Sequence, residues 1–201
     1  FDPFFLTLPP RNSTPRIITI HDLIPRQFKS HFPVGIRGTI KWQIQKYLAK
    51  QSDAIITVST YSKYVINDIL NYPLHKIFVT HEAANKNFHP KINPQLLSIV
   101  KNKYKLPDKF ILYVGDVNWN KNIPTLVNTC LKLNIPLVIS GKSAVSSVPL
   151  DEWTKDIHYL QSLKSKRIIL LGFTPDEDLP ALYNLATIYC QPSFAEGFGL
   201  T

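Results

Sequence analysis

Methionine is absent from this 201-residue chain, and both glycine, with seven residues, and cysteine, with two, are scarce. A chain without methionine does not begin where a gene begins. It also stops at Gly199-Leu200-Thr201, in what reads as a loop opening a helix. The expectation is an internal piece truncated at both ends. The two thiols, Cys130 and Cys190, lie in apolar helical and strand patterns and read as core residues rather than metal ligands or nucleophiles. Nothing demands an oxidising compartment. No apolar run approaches the ~20 residues of a membrane span. The opening Phe1-Asp2-Pro3-Phe4-Phe5 lacks the basic region and clean apolar stretch of a signal peptide.

Acidic residues are also few, but only in one half. Residues 1–108 hold 15 Lys/Arg against 6 Asp/Glu, whereas residues 109–201 hold 8 of each. The whole net charge of +9 therefore belongs to the first half. Such a half suits an anionic partner, or is simply a soluble basic face. A hydrophobic fraction of 44% is enough for a packed core.

The β-branched run Arg16–Ile20 reads as a strand, with His21-Asp22 at its end and a loop over 26–35. From Ile36 to Lys50 the period becomes helical. Ile36, Ile40, Ile44, Tyr47 and Leu48 share one face, with Arg37, Lys41, Lys46 and Lys50 largely elsewhere. Such a face either packs into a core or lies on an anionic membrane. Strand Ala54–Val58 is followed by Ser59-Thr60, whose hydroxyls suit a helix cap, and by a helix to Leu70. Lys76–Thr80 reads as a third strand. Polar residues with Pro90, Pro94 and Pro107 follow, with a short helix over Leu96–Tyr104.

The second half alternates strands at 110–114, 137–140, 167–171 and 187–190 with helices at 123–133, 152–163 and 176–186. Near-continuous apolar strands alternating with helices predict parallel sheets covered on both faces, here two doubly wound α/β units in series.

In open parallel sheets, ligands bind beyond the carboxyl ends of the strands. Two clusters stand out there. In Gly115-Asp116-Val117-Asn118-Trp119-Asn120-Lys121-Asn122, the glycine permits close approach. Lys121 lies near a helix N-terminus, where a cation is disfavoured unless it faces an anion. In Pro192-Ser193-Phe194-Ala195-Glu196-Gly197-Phe198-Gly199, two glycines leave backbone N–H groups bare for an anion, with a helix expected just beyond. Glu196 suits sugar hydroxyls better than phosphate. The bland readings are a solvent-facing lysine and a glycine-rich loop with a surface carboxylate.

Taken together, Thr19-Ile20-His21-Asp22-Leu23, Asp53 to Ser59, Gly115 to Asn122, and Pro192 to Leu200 resemble the retaining glycosyltransferases of family 4, over nearly the whole chain. The resemblance implies the GT-B fold, an α/β architecture of two Rossmann-like doubly wound domains facing across a cleft, both incomplete here. Residues 1–88 would be the C-terminal part of the acceptor-side domain. Residues 89–108 would connect the two, and 109–201 would form an incomplete nucleotide-sugar domain.

The implied donor site comprises Gly115, Asn118, Lys121, Gly172, Phe173, Glu196, Gly197, Phe198, Gly199 and Leu200. In it Lys121 binds the diphosphate, Gly172-Phe173 line the base pocket, and the backbone of Gly197 to Leu200 meets sugar and phosphate. The implied catalytic residues are His21, reaching the sugar near the reacting carbon, and Glu196, bonding the sugar; a core or capping role for His21 stays open. The resemblance implies no metal and no cofactor, the nucleoside-diphosphate sugar being a substrate. The implied acceptor is a saccharide or lipid-linked saccharide, in polysaccharide or cell-envelope synthesis. The location would be cytoplasmic, peripheral at the inner face of an anionic membrane contacted by the basic half.

Three departures mark the chain. Asp116 stands where many relatives carry a basic residue. The family's second glutamate, seven residues after Glu196, falls beyond Thr201, and the early strands with their glycine-rich loop are missing before Phe1. The isolated fragment is therefore expected to be inactive. Other readings are an inert GT-B binding or partner protein and a sugar-nucleotide 2-epimerase of the same fold. A dinucleotide-dependent oxidoreductase is disfavoured because Gly197-Phe198-Gly199 follows a late strand rather than the first. Nucleic acid is disfavoured because aromatics do not interleave with the basic residues.

Overall fold

The computed structural model describes residues 15–201; residues 1–14, counted in the first expected domain, lie outside the described residues. The chain divides into two compact units. Unit 1 runs to Ala83 and takes in Ala195–Leu200, and unit 2 holds Ala84–Phe194 with Thr201.

In unit 1, three short β-branched runs become strands β1 (Ile17–Thr19), β2 (Ala54–Thr57) and β3 (Ile77–Val79), parallel and adjacent in that order. Helix α1 (Ile24–Gln27) occupies the start of the expected loop; Pro25 sits in its first turn, where a missing N–H costs nothing. Helix α3 (Thr60–Leu70) begins at Ser59, whose hydroxyl accepts from Ser62 N, and ends at Asn71 in a left-handed conformation. Ile18, Ile20, Trp42, Ile55, Ile66 and Ile77 form the core.

Helix α2 (Ile36–Lys50) has the expected bounds but not a core-facing apolar stripe. Its buried residues are Trp42, Gln45 and Ala49. Ile36 is 82% exposed, Ile40 56%, Ile44 46% and Tyr47 64%. Packing of that stripe into the core, one of the two uses its periodicity allowed, is thereby overturned. The large ring that α2 buries is instead that of Trp42, and Arg26 stacks on it 4.5 Å away.

Unit 2 contains α4 (Pro94–Lys103), β4 (Ile111–Val114), α5 (Ile123–Lys132), β5 (Leu137–Ser140), α6 (Lys155–Ser162), β6 (Ile168–Gly172), α7 (Leu179–Leu185) and β7 (Ile188–Tyr189). The sheet is parallel, in the order β6-β5-β4-β7. Successive strand residues point to opposite faces. Tyr113, Leu137 and Ile139 pack with Val127 and Cys130 of α5 and Leu160 of α6. Leu112 and Val138 pack with Val100 of α4 and with Ala181 and Leu182 of α7. Each fully buried Leu, Ile or Val among them contributes on the order of 1.5–3 kcal/mol.

The stretch 89–108 is thus more than a connection, because α4 supplies core residues to unit 2. Asn93 caps α4 by accepting from Gln95 N, and Pro94 opens its first turn. Lys103 Nζ and Tyr104 Oη both donate to Asp178 Oδ2, at 2.6 and 2.7 Å. Cys130 is buried and Cys190 half-buried, both as free thiols, and burial pushes both thiols up, away from the reactive thiolate. Among the described residues, no helix is long and apolar enough to cross a membrane.

Candidate functional site

The strand order of unit 2 locates a site before any residue is considered. From β4 the sheet grows through β5 and β6 in one direction, and β7 adds on the other side of β4. Chain direction therefore reverses between β4 and β7, and the crevice beyond their carboxyl ends is where such sheets take ligands. The loops there are Gly115–Asn122, after β4, and Cys190–Phe194, after β7.

These loops are bonded to each other. Asn122 Nδ2 donates to Pro192 O at 3.1 Å, Phe194 N donates to Asn120 O at 2.8 Å, and the rings of Trp119 and Phe194 stack with centroids 5.2 Å apart. Lys121 ends a short 3-10 turn (Trp119–Lys121), and Asn122, left-handed at φ 55°, hands over to α5. The lysine is therefore held just before the positive end of a ten-residue helix. Asn118 Oδ1 is buried with no hydrogen-bond partner among the described residues.

The turn at Gly115 is braced from behind. Tyr113 Oη donates to Asp116 O at 2.7 Å, and Ser143 Oγ accepts from Val117 N at 2.8 Å. The next strand end comes very close, since a Cβ built on Gly141 would stand 2.0 Å from Gly115 O. Only glycine fits at position 141. Gly172 closes β6, and the Phe173 ring beyond it is 68% exposed. Ser140 Oγ donates to Thr174 Oγ1 at 2.7 Å, tying those two strand ends together.

Unit 1 holds the remaining expected residues. His21 follows β1, its carbonyl accepting from Thr57 Oγ1 at 3.4 Å, and Asp22 Oδ1 accepts from Ile24 N at 3.0 Å. His21 Nδ1 lies 3.2 Å from Glu82 Oε1. A proton on Nδ1 is thus directed at the carboxylate. Gly197 O accepts from Ser59 Oγ at 2.6 Å and from Ser62 Oγ at 3.2 Å. A Cβ on Gly197 would stand 3.1 Å from both Cβ and Oδ2 of Asp22, so the segment runs close against the end of β1. Phe198 stacks on His81 at 5.9 Å. Glu196 is half-buried, while Gly199 (φ 82°) and Leu200 are exposed and irregular.

The expected residues therefore fall into two groups. His21, Glu196, Gly197, Phe198, Gly199 and Leu200 belong to unit 1, and Gly115, Asn118, Lys121, Gly172 and Phe173 to unit 2. Sequence reasoning missed Ser62, which reads as an ordinary helix residue, and the pairing of Glu82 with His21. Ser62 and Gly197 are 135 positions apart, a separation at which local pattern carries no signal. Among the described residues no group of three His, Cys, Asp or Glu side chains could hold a metal ion.

Comparison with known proteins agrees with this geometry. The family model described as glycosyl transferases group 1 matches residues 97–201. The O-antigen chain mannosyltransferase B of Escherichia coli is 29% identical over 92% of this chain and 48% of its own length. A serotype-specific mannosyltransferase WbdA of Escherichia coli is 26% identical over 99% of this chain and 25% of its own length. The chain thus spans about half the length of the first of these relatives and a quarter of the second. Among solved structures, Anabaena HepE in complex with UDP and glucose superposes with a TM-score of 0.67 at 16% identity, over 90% of this chain and 47% of that one. That likeness establishes the GT-B fold.

Proposed function

This chain belongs to the family of glycosyl transferases group 1, and from that premise we propose that it is part of an enzyme transferring a sugar from a nucleoside-diphosphate sugar to a saccharide or lipid-linked acceptor. The observation that carries the proposal is the pair of loops at the β4/β7 reversal, bonded together with Lys121 fixed before α5. The similarity to mannosyltransferases makes mannose the first sugar to test, and the HepE complex makes a uridine nucleotide the first base.

In this reading the chain is of the retaining, family 4 type, with residues 1–88 serving the acceptor and 109–201 the nucleotide sugar. Lys121, with Gly115 and Asn118, takes the diphosphate, and Gly172-Phe173 take the base. Glu196 accepts hydrogen bonds from the sugar, and the N–H groups of Gly197 to Leu200 meet sugar and phosphate. His21 addresses the sugar beside the reacting carbon.

The bond from the anomeric carbon to the phosphate oxygen breaks while a bond to the acceptor oxygen forms on the same face. The acceptor proton goes to the departing phosphate. Negative charge grows on that phosphate in the transition state, where a fixed lysine and fixed amides stabilise it more than they stabilise the bound substrate. The enzyme works on the cytoplasmic side, in peripheral contact with an anionic membrane.

The test is titration of the full chain with UDP-, GDP- and ADP-sugars beside NAD, with Lys121→Ala as control. Saturable binding of one sugar nucleotide, weakened by the substitution, is the expected result. A folded protein that binds none of them would sink the donor site.

A further inference from the structure

The three parallel strands of unit 1 end side by side, in the order β1-β2-β3. Neighbouring strands lie about 4.8 Å apart, so the backbones leaving β1 and β3 are roughly 10 Å from each other. Only side chains can meet across that gap, over the end of β2. His21, two residues after β1, and Glu82, three residues after β3, do so, with Nδ1 3.2 Å from Oε1. The middle strand holds both sides of this bridge. Thr57, fully buried at the end of β2, donates from Oγ1 to His21 O at 3.4 Å and accepts at its own carbonyl from Thr80 N at 2.8 Å.

The residue before Glu82 touches the other part of the unit 1 site, since the His81 ring stacks on Phe198 with centroids 5.9 Å apart. A Cβ on Gly197 would stand 3.3 Å from His21 O, so the same segment runs past the His21 backbone. The pair thus stands at the carboxyl end of the sheet, where open parallel sheets take ligands. As a stability element it is poor. The His21 and Glu82 side chains are 51% and 34% exposed, and exposed ion pairs add little. As an orienting element it is specific. A neutral imidazole carries a proton on one nitrogen and a lone pair on the other. A carboxylate beside Nδ1 draws the proton to that nitrogen, which leaves Nε2 as the acceptor.

We propose that Glu82 is the positioning residue of His21. It fixes the tautomer with the proton on Nδ1 and the orientation of the ring, so that Nε2 accepts a hydrogen bond from a substrate hydroxyl. Glu82 acts through the ring and not on the substrate. The inference rests on the role proposed for His21 and adds to it the atom through which that side chain works.

The test has two arms, both on the full chain. Nitrogen NMR of the imidazole rings, on the alkaline side of the histidine titration, reads the tautomer without any turnover; the His21 signal is the one missing from His21→Ala. The parent should show Nδ1 protonated, and Glu82→Ala should lose that preference with its melting temperature unchanged. The second arm is release of nucleoside diphosphate from UDP-, GDP- and ADP-mannose with a mannose oligosaccharide as acceptor. Glu82→Ala should lower kcat at least about tenfold and move KM for the sugar nucleotide less than about threefold. Glu82→Gln, whose amide oxygen still accepts from Nδ1, should keep the tautomer and recover most of the lost rate. In the His21→Ala background, Glu82→Ala should cost nothing more, because its effect runs through the ring.

The proposal is overturned if Nε2 carries the proton in the parent, or if Glu82→Ala leaves the tautomer as it was. It is also overturned if Glu82→Ala turns over like the parent while His21→Ala does not, or if the two substitutions lower kcat additively. Failure of the underlying reading looks different. His21→Ala at the parent's rate would remove His21 from the reaction, and this inference with it, whichever nitrogen holds the proton.

Discussion

The ends of β1 and β4 both present candidate site residues, but they are held in opposite ways. The loop after β4 is fixed by unit 2's own neighbouring strand ends: Tyr113 braces Asp116, Ser143 braces Val117, Gly141 abuts Gly115, and the loop after β7 closes the far side. The loop after β1 is fixed by side chains from elsewhere in the sequence. Glu82 meets His21, and Gly197 meets Asp22 and is gripped by Ser59 and Ser62. The geometry of the loop that carries Lys121 is therefore set within unit 2. In unit 1 the arrangement around His21 depends on a segment that arrives late in the chain.

The largest expected effect breaks the intrinsic side of this contrast. Gly141→Ala places a methyl against the Gly115 carbonyl, where only backbone movement makes room. It should destabilise the protein by about 3 kcal/mol, measured by urea unfolding. A loss under about 1 kcal/mol would mean that the two strand ends are not rigidly opposed.

Next is the tie between α4 and α7. Burial pushes the Asp178 carboxyl up, but the hydrogen bonds from Lys103 and Tyr104 more than offset this and hold it below the usual carboxylate range. A depressed folded-state value means that the contribution is fully present above the unfolded value, near pH ~4, and lost as pH falls through the folded one. Asp178→Asn should cost about 1–3 kcal/mol at neutral pH, and the difference from the parent should shrink below about pH 4. A pH-independent difference would remove the ion pair from the account.

At the site itself, Lys121→Ala and Glu196→Ala should each lower transfer at least about tenfold, or 1.4 kcal/mol of transition-state stabilisation, in steady-state assays of the full chain. Rates equal to the parent's in both would disprove the assigned roles. The smallest effect sharpens the other side of the contrast. Ser59→Ala removes the cap of α3 and the 2.6 Å bond to Gly197 together, and should cost about 1 kcal/mol. If Ser59→Ala and Ser62→Ala change sugar-nucleotide binding no more than an exposed control, the grip on Gly197 is structural alone.

Most of the fold was legible because its signals are local. β-branched runs gave the strands, and Ser59 marked the start of α3 through a hydroxyl the backbone needs. Two features were not legible, for different reasons. Periodicity groups Ile36, Ile40, Ile44 and Tyr47 on one face but does not say which face meets the sheet. The choice was made by Trp42, a single large ring on the opposite side. Conversely, the short helix expected over Leu96–Tyr104 is present and starts at Pro94, at the one helical turn that tolerates a proline, but local pattern did not say that it packs into the core of unit 2. At the site, the clusters around Lys121 and Gly197 were visible as unusual local chemistry. Their supports, Ser62 and Glu82, are ordinary residues that gain a role only from distant partners.

The division of unit 1 into residues up to Ala83 and the segment Ala195–Leu200 also sets an order of events during synthesis. Gly197 follows Ser59 by 138 positions. At roughly 5–20 residues per second, the ribosome spends about 7–30 s between them. All of unit 2's strands and helices are translated in that interval. The Gly197 contacts around His21 therefore close only after residues 84–194 have been made.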